Sequence, residues 1–251
     1  MPMILLRKTS PNSPRKEAFA DAKALVIKMK KKTERILGAI SLICDAAVFV
    51  LVALSVSAFF VSGGDGNMSV TGAGCFIFFT VDSNILAALA CLLCLPFHIR
   101  SLIKGKRVLP MWAKVLKFTG AVAVAVTFFT VILFLGPTMG YASMFAGTSL
   151  YLHLICPLAV MFSLIFLDSD QKIPLVFLPF GLLPTLIYGA VYLVQVVVLG
   201  PAKGGWEDFY GFNAGGFWYI SLPVMLAATY LISLGICFAH NGFAKVWLKS
   251  F

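Results

Sequence analysis

The sequence predicts an all-α fold, a polytopic membrane protein built as a bundle of six transmembrane helices, and three features carry that expectation. Of the 251 residues, 60% are hydrophobic and only 12% are charged, and the mean hydropathy is +0.96. A soluble domain carries about twice that share of charge. Apolar runs recur along the chain at the length, about 20 residues, that a helix needs to cross about 30 Å of hydrocarbon. The runs are continuous rather than alternating at period two, so helices and not barrel strands are expected. A soluble enzyme is excluded because there is too little polar surface to cover it. A disordered chain is excluded by the apolar mass, which includes 23 Phe.

The chain divides into a basic segment 1–35, a transmembrane domain 36–240 and a short tail 241–251. Residues 1–14, with Pro2, Pro11 and Pro14, are expected to be disordered. Residues 15–35 read as a helix on the inner membrane surface, with Ala18, Ala22, Leu25 and Met29 on one stripe and Ile27 off it. This is no secretory signal, because the apolar run after it is too long and has no cleavage site. The six spans are expected at 36–62, 75–97, 113–135, 147–167, 173–199 and 216–239. Ten of the 20 Lys and Arg precede the first span. Arg100, Lys104, Lys106, Arg107, Lys114 and Lys117 fall in the second connection and the start of the third span. Lys172 lies in the fourth connection, and Lys245 and Lys249 in the tail; Lys203 alone falls on the other side. The positive-inside rule then puts both termini in the cytoplasm. The formal charge of +10 is therefore a topology signal before it is a ligand signal. It implies membrane lipids as partners, with anionic inner-leaflet lipids near the cluster Lys28, Lys30, Lys31, Lys32 and Arg35, and no nucleic acid.

The six Cys make no disulfide framework. Cys44, Cys91, Cys94, Cys156 and Cys237 lie inside spans, and Cys75 has no partner near the opposite surface. The Cys91–Cys94 spacing lacks a second pair, so these are expected as small packing residues. Asn67-Met68-Ser69 is a glycosylation sequon that matters in a eukaryotic cell. The string Gly63, Gly64, Gly66, Gly72 and Gly74 lacks the strand and helix of a phosphate loop and reads as a flexible loop. Ser101-x-x-Lys104 has the spacing of a Ser/Lys nucleophile pair but no companion motif. No metal or nucleotide site is legible, and no cofactor is expected.

Ionisable groups inside a span are functional candidates, since each costs at least about 2.5 kcal/mol at mid-depth unless partnered. They are Asp45 on the first span, Asp82 on the second and His153 on the fourth; His98 and His240 fall at the inner boundary, where solvation accounts for them. On the second span Thr80, Ser83, Asn84, Ala87, Ala88 and Cys91 share one face. Such a small, polar stripe suits a helix–helix seam. Asp82 points the other way, among Phe78, Ile85 and Leu89, and is expected to be protonated or bonded to another helix. On the fourth span His153 follows Ser149 by one turn and precedes Pro157 by one turn. Proline has no N–H, so the His153 carbonyl loses its usual partner there. Thr80 and His153 both fall about 8–9 Å below the outer ends of their spans at 1.5 Å per residue. The fifth span sets Gly181, Thr185, Tyr188, Tyr192 and Gln195 on one stripe at a similar level, with Pro179 and Pro184 bending it. Ser83, Asn84, Ser149, Tyr188, Tyr192 and Gln195 are thus candidate oxyanion or substrate-lining groups around Thr80 and His153.

Phe79-Thr80-x-x-Ser83-Asn84 opening the second span, and Leu152-His153-x-x-x-Pro157 on the fourth, resemble the androgen-induced protein family. That family includes the androgen-dependent TFPI-regulating protein and six-span microbial relatives, and the likeness covers nearly the whole chain. It implies an intramembrane hydrolase of fatty acid esters of hydroxy fatty acids, with Thr80 as nucleophile and His153 as its base. It places the protein in a bacterial plasma membrane, or in the endoplasmic reticulum of a eukaryote. Neutral imidazole beside an alcohol is sound chemistry for ester attack without the family. The alternatives are a proton-coupled transporter using Asp45, Asp82 and His153, and a non-catalytic scaffold in which the polar residues only pack.

Overall fold

The computed structural model describes residues 13–63 and 70–249, with side chains over 18–63 and 70–247. The sequon Asn67-Met68-Ser69 and residues 1–12 of the segment expected to be disordered lie outside the described residues. Among those described there is no strand, and six helices are long and apolar enough to cross a membrane. They are α1 (Ser13–Val61), α2 (Phe79–Lys104), α3 (Met111–Met139), α4 (Thr148–Leu167), α5 (Leu175–Leu199) and α6 (Trp218–Lys249). The protein is thus an all-α bundle of six membrane-crossing helices.

The first helix corrects one expectation. No separate surface helix precedes the first span; one uninterrupted helix of 49 residues runs from Ser13. The sequence offers nothing to break it, because no Gly or Pro occurs between Pro14, which sits in its first turn, and Gly38. At 1.5 Å per residue it is far longer than a bilayer is thick. Residues 18–32 are all exposed, and burial sets in from Glu34 onward.

At one end of the bundle lie Arg35, the 104–110 connection, the 168–174 connection and the last turns of α6. Arg35 Nη2 donates to the Ile103 carbonyl, and Asn241 on α6 brackets Ile173, accepting from its N–H and donating to its carbonyl. We call this the terminal end. At the opposite, distal end lie the 70–78 segment, the 140–147 connection and the aromatic loop 204–217.

The core forms where small residues let helices close up. Ala87, Ala88, Cys91, Phe118, Ala121, Val122, Leu152, Cys156 and Val160 belong to one buried cluster shared by α2, α3 and α4. The approach of α2 to α3 is tightest at Gly120, where an added Cβ would lie 2.8 Å from the Ala87 Cα. Only glycine fits there. The six cysteines are all free thiols and five are buried, as small packing residues would be.

Helices α3, α4 and α5 all depart from α geometry, α3 in a π turn at Val131–Leu135 just before Gly136-Pro137. In α4, Tyr151–Ile155 forms a π turn just before Cys156-Pro157, with the Cys156 N–H bonded to the Tyr151 carbonyl. Proline at 157 supplies no N–H, and the wider turn absorbs the mismatch while carrying His153. In α5, a 3-10 stretch Leu175–Leu182 containing Pro179 gives way to α-helix at Leu183, with Pro184 in the first turn. The prolines thus change the helix where the sequence placed its bend.

Candidate functional site

The stripe read from the second span is the buried face of α2. Thr80, Ser83, Asn84, Ala87, Ala88 and Cys91 are all buried. Each polar member has a distinct task. Ser83 Oγ bonds the Thr80 carbonyl at 3.1 Å and Thr127 Oγ1 of α3 at 2.9 Å, so it stitches a seam. Asn84 Nδ2 donates to the Thr80 carbonyl and to the Leu152 carbonyl, both at 2.8 Å. One amide thus ties the turn carrying Thr80 to the residue next to His153. Its Oδ1 is enclosed without a partner.

His153 is buried, and its Nδ1 lies 2.8 Å from the Met144 carbonyl. A carbonyl only accepts, so Nδ1 carries a hydrogen, and in the neutral ring Nε2 then keeps the lone pair. That is the tautomer a general base needs. Ser149, one turn earlier, is buried with its Oγ unpartnered, and so is Thr185 Oγ1 on α5.

Thr80 is the second residue of α2, in the first turn, whose leading N–H groups have no partner within the helix. The ladder starts after it: Val81 and Asp82 donate to the Phe78 carbonyl at 3.0 and 3.3 Å. The Tyr210 phenol reaches this point, meeting the Thr80 hydroxyl, the backbone of Phe79 and Thr80, and the Tyr188 phenol. Burial pushes that phenol up to about 12, so it keeps its proton. Asp208 anchors the loop: its Oδ1 accepts from Tyr192 Oη at 3.0 Å and from the Phe212 N–H at 2.8 Å, and its Oδ2 from the Asn213 N–H at 2.8 Å. Tyr192 Oη in turn accepts from the Tyr210 N–H at 3.0 Å, and Tyr188 Oη donates to the Ile77 carbonyl at 2.6 Å. Rings of Tyr188, Tyr192, Trp206, Phe209, Tyr210 and Phe212 pack on one another above the site.

Two sequence expectations change here. Tyr192 is committed to the loop through Asp208 rather than pointing free, and Ser83 and Asn84 are occupied in bonds between helices. Gln195 is half-buried, and its backbone carbonyl accepts from the Gly200 and Trp206 N–H groups, which holds the start of the loop. The sequence marked Tyr210 only as part of an aromatic segment, Trp206-Glu207-Asp208-Phe209-Tyr210, able to cover the site; a loop position gives no periodic signal for its contact with Thr80.

A second polar cluster lies at the terminal end, and most of it was also missed. Asp45, fully buried, accepts from Lys117 Nζ at 2.6 and 2.7 Å, from Ser163 Oγ at 2.8 Å, and faces His98 Nε2 at 3.0 Å. Lys117 also donates to Ser163 Oγ at 2.7 Å and to Asp168 Oδ2 at 2.5 Å, and Ser41 donates to Asp168 Oδ1 at 3.2 Å. Nearer the end, Lys114 pairs with Asp170, and Arg107 pairs with Glu34 at 2.9 Å while donating to the Leu167 carbonyl. Lys114 and Lys117 are therefore buried ion-pair members and not solvated topology charges. His98 and His240 are buried as well, contrary to the solvated reading; the His240 ring nitrogens face the Leu164 and Gln171 carbonyls at 2.8 and 2.9 Å. The overlooked signal was an unmatched Asp45 together with two lysines three residues apart inside an apolar run. Asp45, Cys94 and His98 bring donor atoms within 4.8 Å of one another. Both Asp45 oxygens are already held by the Lys117 ammonium, which supplies the charge a metal ion would bring.

Asp82 joins neither cluster. It is half-buried on the outer side of α2 and makes no bond to another helix among the described residues. Ser101 and Lys104 form no pair: Ser101 is buried with Oγ unpartnered, and Lys104 is exposed.

No family model, no curated protein and no solved structure matches this chain.

Proposed function

We propose that the protein is an intramembrane hydrolase of lipid esters, in which Thr80 is the nucleophile and His153 its general base. The observation that carries this reading is the fixed tautomer of His153. A buried imidazole held through Nδ1 presents a free Nε2 lone pair, on a helix that Asn84 ties to the turn of Thr80. An alcohol needs such a base, because it is a weak nucleophile at its own pKa.

In the reaction, Nε2 takes the Thr80 proton as Oγ bonds to the ester carbonyl carbon. The oxyanion that forms displaces the Tyr210 phenol oxygen from the Phe79 and Thr80 N–H groups at the start of α2, where the helix dipole also favours negative charge. The Tyr210 phenol stands at the same place as a further donor. Collapse breaks the bond to the leaving oxygen, which takes its proton from the His153 imidazolium. Water, activated by the same ring, then cleaves the acyl-threonine. The aromatic loop 204–217 covers the site on the distal side and keeps bulk water out. The substrate class, fatty acid esters of hydroxy fatty acids, follows the resemblance of the Thr80 and His153 motifs to the androgen-induced family. An acyl chain enters sideways from the outer leaflet, with the terminal end of the bundle facing the cytoplasm.

The test is turnover of such an ester by purified protein in lipid nanodiscs. Thr80→Ala and His153→Ala each abolish turnover while leaving the thermal midpoint of the protein close to that of wild type. Full activity in either variant overturns the mechanism.

A further inference from the structure

Helix α1 outruns the bundle, and its open face carries a pattern. Residues 18–32 are all exposed, yet they are far from wholly polar. Phe19, Ala22, Val26 and Met29 stand on one stripe, with Phe19 74% exposed, Val26 52% and Met29 59%. The alternating spacing of three and four residues runs on without a change of phase through Ile36, Ile40, Ile43, Val50 and Leu54, all exposed on the outside of the bundle. Thr33 keeps the same register and is half-buried. This is a heptad repeat, with Phe19, Val26, Thr33 and Ile40 at its first core position and Ala22, Met29, Ile36 and Ile43 at its second. A straight helix drifts off such a repeat, so the stripe makes a continuous seam only between helices that supercoil left-handed.

The bilayer does not cover the outer part of that stripe. Between Pro14 and Gly38 there is no Gly or Pro at which the helix could turn onto the membrane surface. Residues 18–32 therefore project about 22 Å past the onset of burial at 1.5 Å per residue. A headgroup layer is only about 5–8 Å deep. A second copy of the chain fits where lipid does not. Two copies inserted in the same sense have parallel α1 helices about a two-fold axis along the membrane normal, so each stripe meets its own equivalent. The β-branched residues Val26, Thr33 and Ile40 at the first core position favour such a parallel pair. On its flanks Lys23, Lys30 and Lys32 lie across from Ala18, Leu25 and Leu37 of the other copy, so no two lysines meet and their stems cover apolar surface. The strip Ala18–Val61, 44 residues, is about 66 Å long; at about 10 Å wide it buries about 1,300 Å² over both copies, the area of a stable interface. We propose that the protein is a homodimer joined by a parallel, left-handed coiled coil of α1, which starts in water beyond the terminal end and continues into the membrane.

Thiol cross-linking of the full chain in its native membranes reads this register. Val26→Cys and Met29→Cys are each expected to give a disulfide-linked dimer under mild oxidation, because equivalent core positions face each other across a parallel seam. Ala24→Cys, also exposed but on the opposite side of α1, is expected to give none above the background set by the six free thiols of wild type. Light scattering of the solubilised wild type is expected to find two copies per particle. Val26→Lys with Met29→Lys, which sets like charges in the seam outside the bundle, shifts that balance to one copy. Cross-linking of Ala24→Cys as fast as Met29→Cys overturns the proposal, as does a lysine variant that stays as dimeric as wild type. A monomeric wild type overturns it too, whatever acidic protein or anionic lipid its α1 extension then binds.

Discussion

Asn84 shows how one side chain decides the geometry of a site. Its amide nitrogen serves two carbonyls on two helices, and both are buried. Asn84→Leu takes the side-chain donor from the Leu152 carbonyl, at about 1–3 kcal/mol for a buried group left unsatisfied, while the Thr80 carbonyl keeps Ser83 Oγ. The thermal midpoint in nanodiscs is therefore expected to fall, and ester turnover to fall further than stability alone explains, because the Thr80 turn loses its register against His153. Turnover that tracks the folded fraction alone would make Asn84 purely structural. Tyr210→Phe keeps the ring packing and removes the phenol, so kcat is expected to drop about 10²-fold or more with KM little changed. The pH profile follows from the same groups. His153 must be neutral to act, so the rate falls on the acid side. Tyr210 keeps its proton up to about 12 and imposes no alkaline fall below that. Thr80 and His153 were legible in the sequence because polarity inside an apolar run is costly and conspicuous. Lys117 was not, because a cation near a span end reads as a topology charge until its buried partners Asp45 and Asp168 are known.

At the level of elements, what could be read was periodicity. The α2 stripe was legible residue by residue, since an offset of three or four on a helix fixes a face whatever surrounds it. What periodicity cannot supply is the partner across that face. The Ser83–Thr127 bond and the contact of Ala87 with Gly120 depend on where α3 packs. Gly120→Val is expected to force α2 and α3 apart and lower thermal stability by more than Gly235→Ala, whose added Cβ meets nothing within 4 Å. Similar midpoints for the two would mean that the seam is not tight. Continuity also escaped the sequence reading of α1, where a change from basic to apolar composition suggested a boundary. Composition does not break a helix; Gly and Pro do, and none lies between Pro14 and Gly38.

For the whole molecule, the six-helix bundle was legible from hydropathy because a bilayer imposes one length and one backbone solution on every span. Its sidedness is a consequence of charge. With Arg107, Lys114 and Lys117 withdrawn into buried pairs, fourteen Lys and Arg among the described residues still belong to the terminal end against Lys203 alone at the other. A membrane-impermeant thiol reagent is therefore expected to label Lys203→Cys in intact cells and Lys30→Cys only after permeabilisation; the reverse pattern would invert the bundle. The central claim concerns chemistry at the distal end, and covalent capture tests it most directly. Wild-type protein treated with a fluorophosphonate probe is expected to carry the adduct on Thr80 when its peptides are sequenced by mass spectrometry, with labelling lost in Thr80→Ala and strongly reduced in His153→Ala. An adduct at another residue, or unchanged labelling of Thr80→Ala, would contradict the account.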